Sequence, residues 1–286
     1  MSGPVRATLS GGRQHFQHGP IDLVIEAWGA PAEVAAACEQ AWRAFQPALE
    51  TLVAELALLR APVGSVVPLA RGPVAQRMVA AVWRHRGVFV TPMAAVAGAV
   101  ADEMLEALCA GRRLDKAYVN DGGDIALFLQ PRRHFDAGIV AEPQRAALGA
   151  TFRVRWQDPV RGIATSGWRG RSQSLGIADA VTVLARNAAQ ADAAATLVAN
   201  AVDVEHPAIR RLPAREVKED SDLGERLVTV GVGPLPPEAI EAALDAGLRE
   251  ARSMQRLGLL ADAFLSLQGA ARTTAAPELL RFTKSR

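Results

Sequence analysis

Residues 116–129 read KAYVNDGGDIALFL, and they settle what kind of chain this is. Lys116 to Asn120 and Asp124 to Leu129 are rich in apolar, aromatic and branched residues, as strands are. Asp121-Gly122-Gly123 between them is a turn signal, because adjacent glycines reach positive φ at little cost. Working outward, the flanking segments differ in period. Pro31 to Arg60, Pro73 to His85 and Met93 to Ala110 carry apolar residues at helical spacing, and Pro73 suits the first turn of a helix. Ile21 to Ala27 and Val88 to Pro92 read as extended.

After the central pair, further strands are predicted at Ala137 to Ala141, Thr151 to Trp156, Gly162 to Thr165, Ala180 to Ala185 and Leu227 to Val232. Asn187 to Val204 is predicted helical, and Pro236 to Leu267 reads as one or two amphipathic helices. Helices first, then mostly strands, then helices: this order predicts an α+β fold, a mixed sheet with packed helices, rather than a regularly alternating doubly wound sheet. Residues 1–19 read as a polar lead-in, 20–270 as a single domain, and 271–286 as a frayed tail.

Composition narrows the function. Of 286 residues, 32 are basic and 30 acidic, a net charge of +2 that argues against a nucleic-acid protein or a polybasic membrane binder. Half of the chain is hydrophobic, enough for a substantial core. No run is long and charge-free enough to span a bilayer, and residues 1–19 carry no leader signal, so a cytoplasmic location is expected. Cys38 and Cys109 sit in apolar helical patterns and read as two buried thiols rather than a disulfide or zinc ligands. His15 and His18 make a signal too short and too exposed to mark a metal site.

Three segments carry candidate chemistry. Asn120, Asp121, Gly122, Gly123 and Asp124 put amide and carboxylate groups around an opening where a backbone can approach ribityl or ribose hydroxyls. The same residues also make an ordinary hairpin turn. Side-chain alternation predicts that Asn120, Gly122 and Asp124 share a face if no bulge intervenes. Thr165, Ser166, Gly167, Arg169 and Arg171 combine hydroxyls, backbone amides and guanidinium groups, which suits a phosphate. A solvated loop is the plainer reading. Asp192 and Thr196 lie four apart on a helix face otherwise made of alanine, the hard-oxygen chemistry that Mg²⁺ takes. Asp192 also favours the helix dipole, and Thr196 can bond its own backbone.

In this order, the three segments resemble the ApbE-like superfamily, the FAD:protein FMN transferases and their relatives. That family has an Asn/Gly-Gly-Asp turn, a Thr-Ser-Gly segment and a helix with Ala-Asp-x-x-x-Thr. These correspond to Asn120 to Asp124, Thr165 to Gly167 and Ala191 to Thr196. The helix with Gly98 and Asp102 resembles the family's Lys-Gly-x-x-x-Asp helix, with Ala97 in place of the lysine. The wording of HFQHGPIDLVIEA, NDGGDIALFL and TSGWRGRSQSLGIADAVTVLARNAAQADAAATLVANAVDV resembles a bacterial and archaeal branch of that superfamily, some of whose members are suspected of a role in sulfur or homocysteine metabolism.

The departures are specific. The transferases carry His-x-x-Asp-Pro-Arg-Thr-Gly, whereas here Gly176-Ile177-Ala178-Asp179-Ala180-Val181-Thr182 stands at that place. Gly176 replaces the histidine, and Pro-Arg-Thr-Gly is absent. Gly149-Ala150-Thr151 is similar to the core of a flavin-acceptor site, but Leu148 stands where a hydroxyl residue is expected. The resemblance implies a protein that binds FAD or a related flavin nucleotide, or another small anionic or nucleotide ligand. It also implies Mg²⁺ at Asp192 and Thr196, and weak or altered transferase or hydrolase activity. Two other readings stand beside it: a non-flavin enzyme or accessory protein of sulfur-amino-acid metabolism, and a catalytically inactive interaction module.

Overall fold

The computed structural model describes residues 3–142, 147–275 and 280–282. In chain order its strands and helices begin with β1 (Val5–Thr8), β2 (Gln14–His18) and β3 (Ile21–Gly29). Helices α1 (Pro31–Phe45), α2 (Ala48–Ala54), α3 (Leu56–Leu59), α4 (Pro73–Trp83) and α5 (Val96–Cys109) follow. Then come β4 (Leu114–Asp121), β5 (Asp124–Leu129), β6 (His134–Glu142), β7 (Ala147–Arg155), β8 (Gly162–Ser166), β9 (Ala180–Ala185) and α6 (Ala188–Ala201). The rest is β10 (Ile209–Pro213), α7 (Ala214–Val217), β11 (Leu227–Val232), α8 (Pro237–Arg256), β12 (Asp262–Leu267), β13 (Ala270–Thr273) and β14 (Leu280–Phe282). The fold is α+β, as its sequence predicts.

Two compact units are present. The first comprises Met1–His134, Arg155–Ala164 and Ala185–Ala193. In it β1 to β5 form consecutive antiparallel pairs, and β8 joins β5 through Gly162 and Ile163. One face of this sheet carries Phe16, Leu23, Ile25, Ala117, Val119 and Ala126, all buried. Helix α5 packs on β4 and β5, and α1 packs on β3 and α5. The ring of Phe16 meets Trp42 and Phe45 of α1 at centroid distances of 5.0 and 5.5 Å. Burying one such ring contributes about 1.5–3 kcal/mol, which fastens the N-terminal hairpin to the helix layer.

The second unit comprises Phe135–Val154, Thr165–Leu184 and Ala194–Arg286. Here β9, β12 and β13 pair antiparallel in that order, and α8 packs on β12 and β13. Strands β10 and β11 make a separate pair, with a register shift between Arg210 and Arg211. A third sheet has the order β14-β7-β6.

Several boundaries differ from the sequence reading, each for a physical reason. The lead-in contains β1 and β2, whose polar side chains face outward while Phe16 and His18 are buried. Pro31 to Arg60 is three helices rather than one. Pro47 lacks an N–H and so cannot extend the hydrogen-bond ladder of α1, and the next break falls at Glu55. Helix α8 stops at Arg256 because Gly258 takes φ +67°, and the Gly258 and Leu259 N–H groups fold back onto the Gln255 and Met254 carbonyls. Asp262 to Leu267 is therefore a strand, not helix. Five of its six residues are buried, so the polar alternation that marks a half-exposed strand is missing. The expected tail begins inside β13. Cys38 is buried and Cys109 half-buried, both free thiols. The Thr151 strand begins earlier, at Ala147.

Candidate functional site

In the first unit, β4 and β5 close on a two-residue loop. Gly122 and Gly123 have φ of +63° and +117°, and Asp121 pairs directly with Asp124. The Asn120 Oδ1 accepts the Gly123 N–H at 2.8 Å, so this side chain holds the turn itself. Asp121 is buried, and its Oδ1 accepts the Asp22 N–H at 3.4 Å. Residues opposed in an antiparallel pair project to the same side. Asp124 thus shares a face with Asp121, while Asn120, paired with Ile125, lies on the other. The expected common face of Asn120 and Asp124 is corrected by this reversal: the chain turns between them instead of running on as one strand.

The N-termini of α5 and α6 are closed by each other's carboxylates. Asp102 of α5 accepts the Ala188 and Ala189 N–H groups of α6 at 3.0 and 2.9 Å. Asp192 of α6 accepts the Gly98 N–H of α5 at 3.0 Å, with a further bond from Ala97. The first N–H groups of a helix have no partner of their own, and a carboxylate there also meets the positive end of the dipole. The contact requires glycine at position 98, where a Cβ would fall 2.3 Å from the Ala188 carbonyl oxygen. Gly162 is equally confined: a Cβ there would fall 2.0 Å from the Asn187 carbonyl carbon.

The carboxylates also disturb one another. Burial pushes Asp102 up to about 6 against the pull of its two backbone bonds. Asp192 is half-buried at its surface, yet enough protein surrounds it that desolvation, with the charges of Asp121 and Asp102, pushes it up to about 7, against the bonds from Gly98 and Ala97. Thr196, one turn further along α6, is half-buried. Among the described residues no three His, Cys, Asp or Glu side chains converge as a metal-binding group.

The second unit holds Thr165 to Arg171. Exposed Thr165 shares a hydrogen bond of 2.9 Å with the Thr182 hydroxyl, and Ser166 is half-buried. Gly167 is buried, and a Cβ there would lie 2.6 Å from the Asp179 carbonyl oxygen. The Trp168 N–H donates to the Ala178 carbonyl at 3.0 Å, while its indole Nε1 is buried without a protein acceptor among the described residues. Arg169 lies over the Trp168 ring, 4.5 Å from the centroid, and donates Nε–H to Asp179 Oδ1 at 2.6 Å. Arg171 is exposed. The other Asp179 oxygen accepts the Gln268 N–H at 2.6 Å.

Just beyond this segment, Gly176 lies against the end of α6. A Cβ at this position would sit 2.1 Å from the Ala199 carbonyl oxygen and 2.8 Å from those of Asn200 and Val202. Ser174 and the Leu175 N–H bond the Asn200 side chain, and the Ile177 N–H donates to the Val202 carbonyl at 2.8 Å. Position 176 therefore has no room for an imidazole.

Asp102, Asp179, Asn200 and Gln268 are the residues that sequence reasoning did not pick out as parts of the site. Two hollows in the first unit contain none of the expected site residues. One of about 730 Å³ is lined by residues such as Arg6, Gln14, Val34 and Cys38, and one of about 290 Å³ by residues such as His18, Leu49 and Glu50.

The sequence pattern of the family described as AbpE bacteria matches residues 6–273. The chain belongs to that family. The resemblance to the ApbE-like superfamily therefore stands for this AbpE-family protein. It is also 34% identical over 210 residues to a UPF0280 protein of Methanosarcina acetivorans, covering 72% of this chain and 78% of that one. A UPF0280 protein of Methanopyrus kandleri is 35% identical over 160 residues, 53% of this chain and 62% of the relative. The matched region of this AbpE-family protein is thus under two thirds of the length of some relatives. Among solved structures, the flavinyl transferase ApbE of Pseudomonas stutzeri in its apo form aligns at 14% identity and a TM-score of 0.43, over 96% of this chain and 95% of that one. The ApbE protein of Thermotoga maritima aligns at 13% and 0.42, over 94% and 96%. Among the described residues no helix is long and apolar enough to cross a membrane.

Proposed function

We propose that this AbpE-family protein binds a flavin nucleotide or a related pyrophosphate and has little or no capacity to transfer it. The observation that carries the reading is the surplus of donors in Trp168-Arg169. A buried indole N–H has no protein acceptor, and beside it stands a guanidinium whose Nε alone is engaged by Asp179. Indole only donates, and guanidinium offers five donors in a fixed fork. The diphosphate of a flavin dinucleotide, fully ionised and acceptor-only at neutral pH, complements both. Family membership, with the motifs at Asn120 to Asp124, Thr165 to Gly167 and Ala191 to Thr196 that resemble the FAD:protein FMN transferases, supports the same class of ligand.

The proposed lack of transfer rests on Gly176. A side chain there meets helix carbonyls, so no imidazole can act as general base from that position. Magnesium fits the reading in a limited way. Mg²⁺ commonly uses one or two carboxylates and completes its shell with water and substrate phosphate. Asp192 and Thr196 of α6 would hold it, and the ion would neutralise phosphate charge. The turn from Asn120 to Asp124 is proposed for sugar hydroxyls.

A thermal-shift series with FAD, FMN, ADP and inorganic pyrophosphate, with and without Mg²⁺, tests the reading. A ligand at 100 times its Kd adds about 2.7 kcal/mol of stability. Stabilisation by the phosphate-bearing compounds and not by riboflavin is expected. Stabilisation by homocysteine alone would move the protein to the sulfur-amino-acid reading. No flavinylated acceptor protein is expected on incubation with FAD and Mg²⁺, and a fluorescent acceptor band would contradict that part.

A further inference from the structure

The tip of the β12–β13 hairpin is built around Gln268, which adopts φ +46° although it is not glycine. The left-handed region is uncomfortable for a residue with a Cβ, and such a conformation persists where its surroundings over-determine it. Here the paired polar groups of Gln268 reach two separate segments, its backbone going to Asp179 and its side chain to the loop at Gly233 and Leu235. Its backbone N–H donates to Asp179 Oδ2 at 2.6 Å, its Oε1 accepts the Leu235 N–H at 3.1 Å, and its Nε2 donates to the Gly233 carbonyl at 2.7 Å. Gly269 follows at φ +84°, so a glycine is already present in the turn and Gln268 takes the strain beside it.

Asp179 is fixed from three sides. Its N–H donates to the Ser266 carbonyl of β12 at 2.9 Å, its Oδ2 takes the Gln268 N–H, and its Oδ1 takes Arg169 Nε at 2.6 Å. With one oxygen assigned to the hairpin tip, the plane of the carboxylate is set. The direction from which Arg169 Nε approaches is set with it. A guanidinium is planar, so fixing Nε over the Trp168 ring fixes where the two terminal nitrogens point.

The geometry points to Gln268 as the positioning residue of this segment: anchored to Gly233 and Leu235, it holds Asp179 so that the Arg169 fork is preset for a phosphate group. This rests on the phosphate reading above, and it adds the control of that site by a hairpin lying about a hundred residues along the chain. Gln268 itself touches no ligand in this scheme. It acts through Asp179, as outer partners of binding groups commonly do.

The test uses the full chain and two readouts. The first is hydrogen exchange of the Arg169 Nε–H followed by NMR without ligand. The second is calorimetric affinity for inorganic pyrophosphate. Gln268→Ala is expected to speed Arg169 Nε–H exchange and weaken pyrophosphate about ten-fold, a typical size for coupled neighbours. In an Arg169→Ala background Gln268→Ala is expected to cost no further affinity. Gln268→Gly keeps the backbone N–H and relieves φ but lacks the side-chain anchors. It is expected to match Gln268→Ala in exchange and affinity even where its melting temperature equals that of the unaltered protein. Full recovery of both readouts in Gln268→Gly would show that only the turn conformation matters and overturn the positioning role. Unchanged Arg169 exchange in Gln268→Ala would overturn it without touching the phosphate reading. Absence of pyrophosphate binding by the unaltered protein would remove the phosphate reading and this inference together.

Discussion

At its N-terminal end helix α6 meets a carboxylate; at its C-terminal end it meets a stretch of chain that approaches most closely at a glycine. Asp102 supplies acceptors to the N–H groups of Ala188 and Ala189. At the other end the Ile177 N–H supplies a donor to the Val202 carbonyl, and Gly176 lies flat on the carbonyls before it. Both ends use glycine for close approach, Gly98 at one and Gly176 at the other. The difference is in what can be exchanged. The N-terminal partner is a side chain, so its charge and acidity respond to solution conditions. The C-terminal partner is backbone, so only its fit matters.

The largest effect is expected at the C-terminal end. Gly176→His places an imidazole against three carbonyl oxygens and is expected to destabilise by about 3 kcal/mol or to prevent folding. Urea denaturation is the measurement, with Gly176→Ala as the milder version. A stable Gly176→His protein would show that the segment can lift from the helix. At the N-terminal end Gly98→Ala meets the Ala188 carbonyl and is expected to cost about 1–3 kcal/mol. A neutral result there would mean that α5 and α6 can separate slightly without loss.

The next prediction concerns pH. Burial pushes Asp102 up to about 6 and Asp192 up to about 7 in the folded protein, above the ordinary carboxylate range. The folded state then holds their protons more tightly, so their contribution to stability is present below about pH 4 and is lost as pH rises through 6 to 7. Denaturation midpoints are expected to fall between pH 5 and pH 8. Asp102→Asn keeps an acceptor for the helix and is expected to flatten that fall by about 1–3 kcal/mol, whereas Asp102→Ala removes the cap at every pH. A wild-type midpoint that rises over this range would show the carboxylates to be stabilised as anions instead. The smallest effect is expected for Asp192→Asn, a change within about 1 kcal/mol, because the amide oxygen still accepts from α5 while repulsion with Asp121 and Asp102 disappears. The same variant is expected to remove any Mg²⁺ dependence of FAD stabilisation, and an unchanged dependence would take the metal away from Asp192.

Much of this arrangement was legible from residue types, and its limits are equally specific. The turn at Gly122-Gly123 and strands β5, β9 and β11 follow directly from turn chemistry and apolar runs. Strand β12 does not, because burial on both faces erases alternation and leaves a run that reads as helix. The N-terminal hairpin is hidden for the opposite reason, since one ring, Phe16, carries most of its attachment among polar neighbours. At the site, sequence places carboxylates and hydroxyls but not their partners. Asp192 reads from sequence as a metal ligand or a helix cap, and only the structure places the Gly98 N–H beside it. Asn120 reads as a ligand group or a turn residue, and only the structure shows its oxygen accepting the Gly123 N–H. Gln268 gains meaning only from three long-range bonds, which no local pattern contains.

The fit of Gly176 on helix α6 also bears on how such a chain can change over generations. A single codon change that introduces histidine at this position does not restore an imidazole to the neighbourhood, because the helix end occupies the volume it needs. Recovering that group would take a concerted change in the length or seating of α6, and each intermediate would carry the penalty of a crowded helix end. Selection acting on ligand retention, by contrast, can vary Trp168, Arg169 and Gln268 one residue at a time. Packing therefore bars imidazole chemistry from position 176 unless the helix end moves with it.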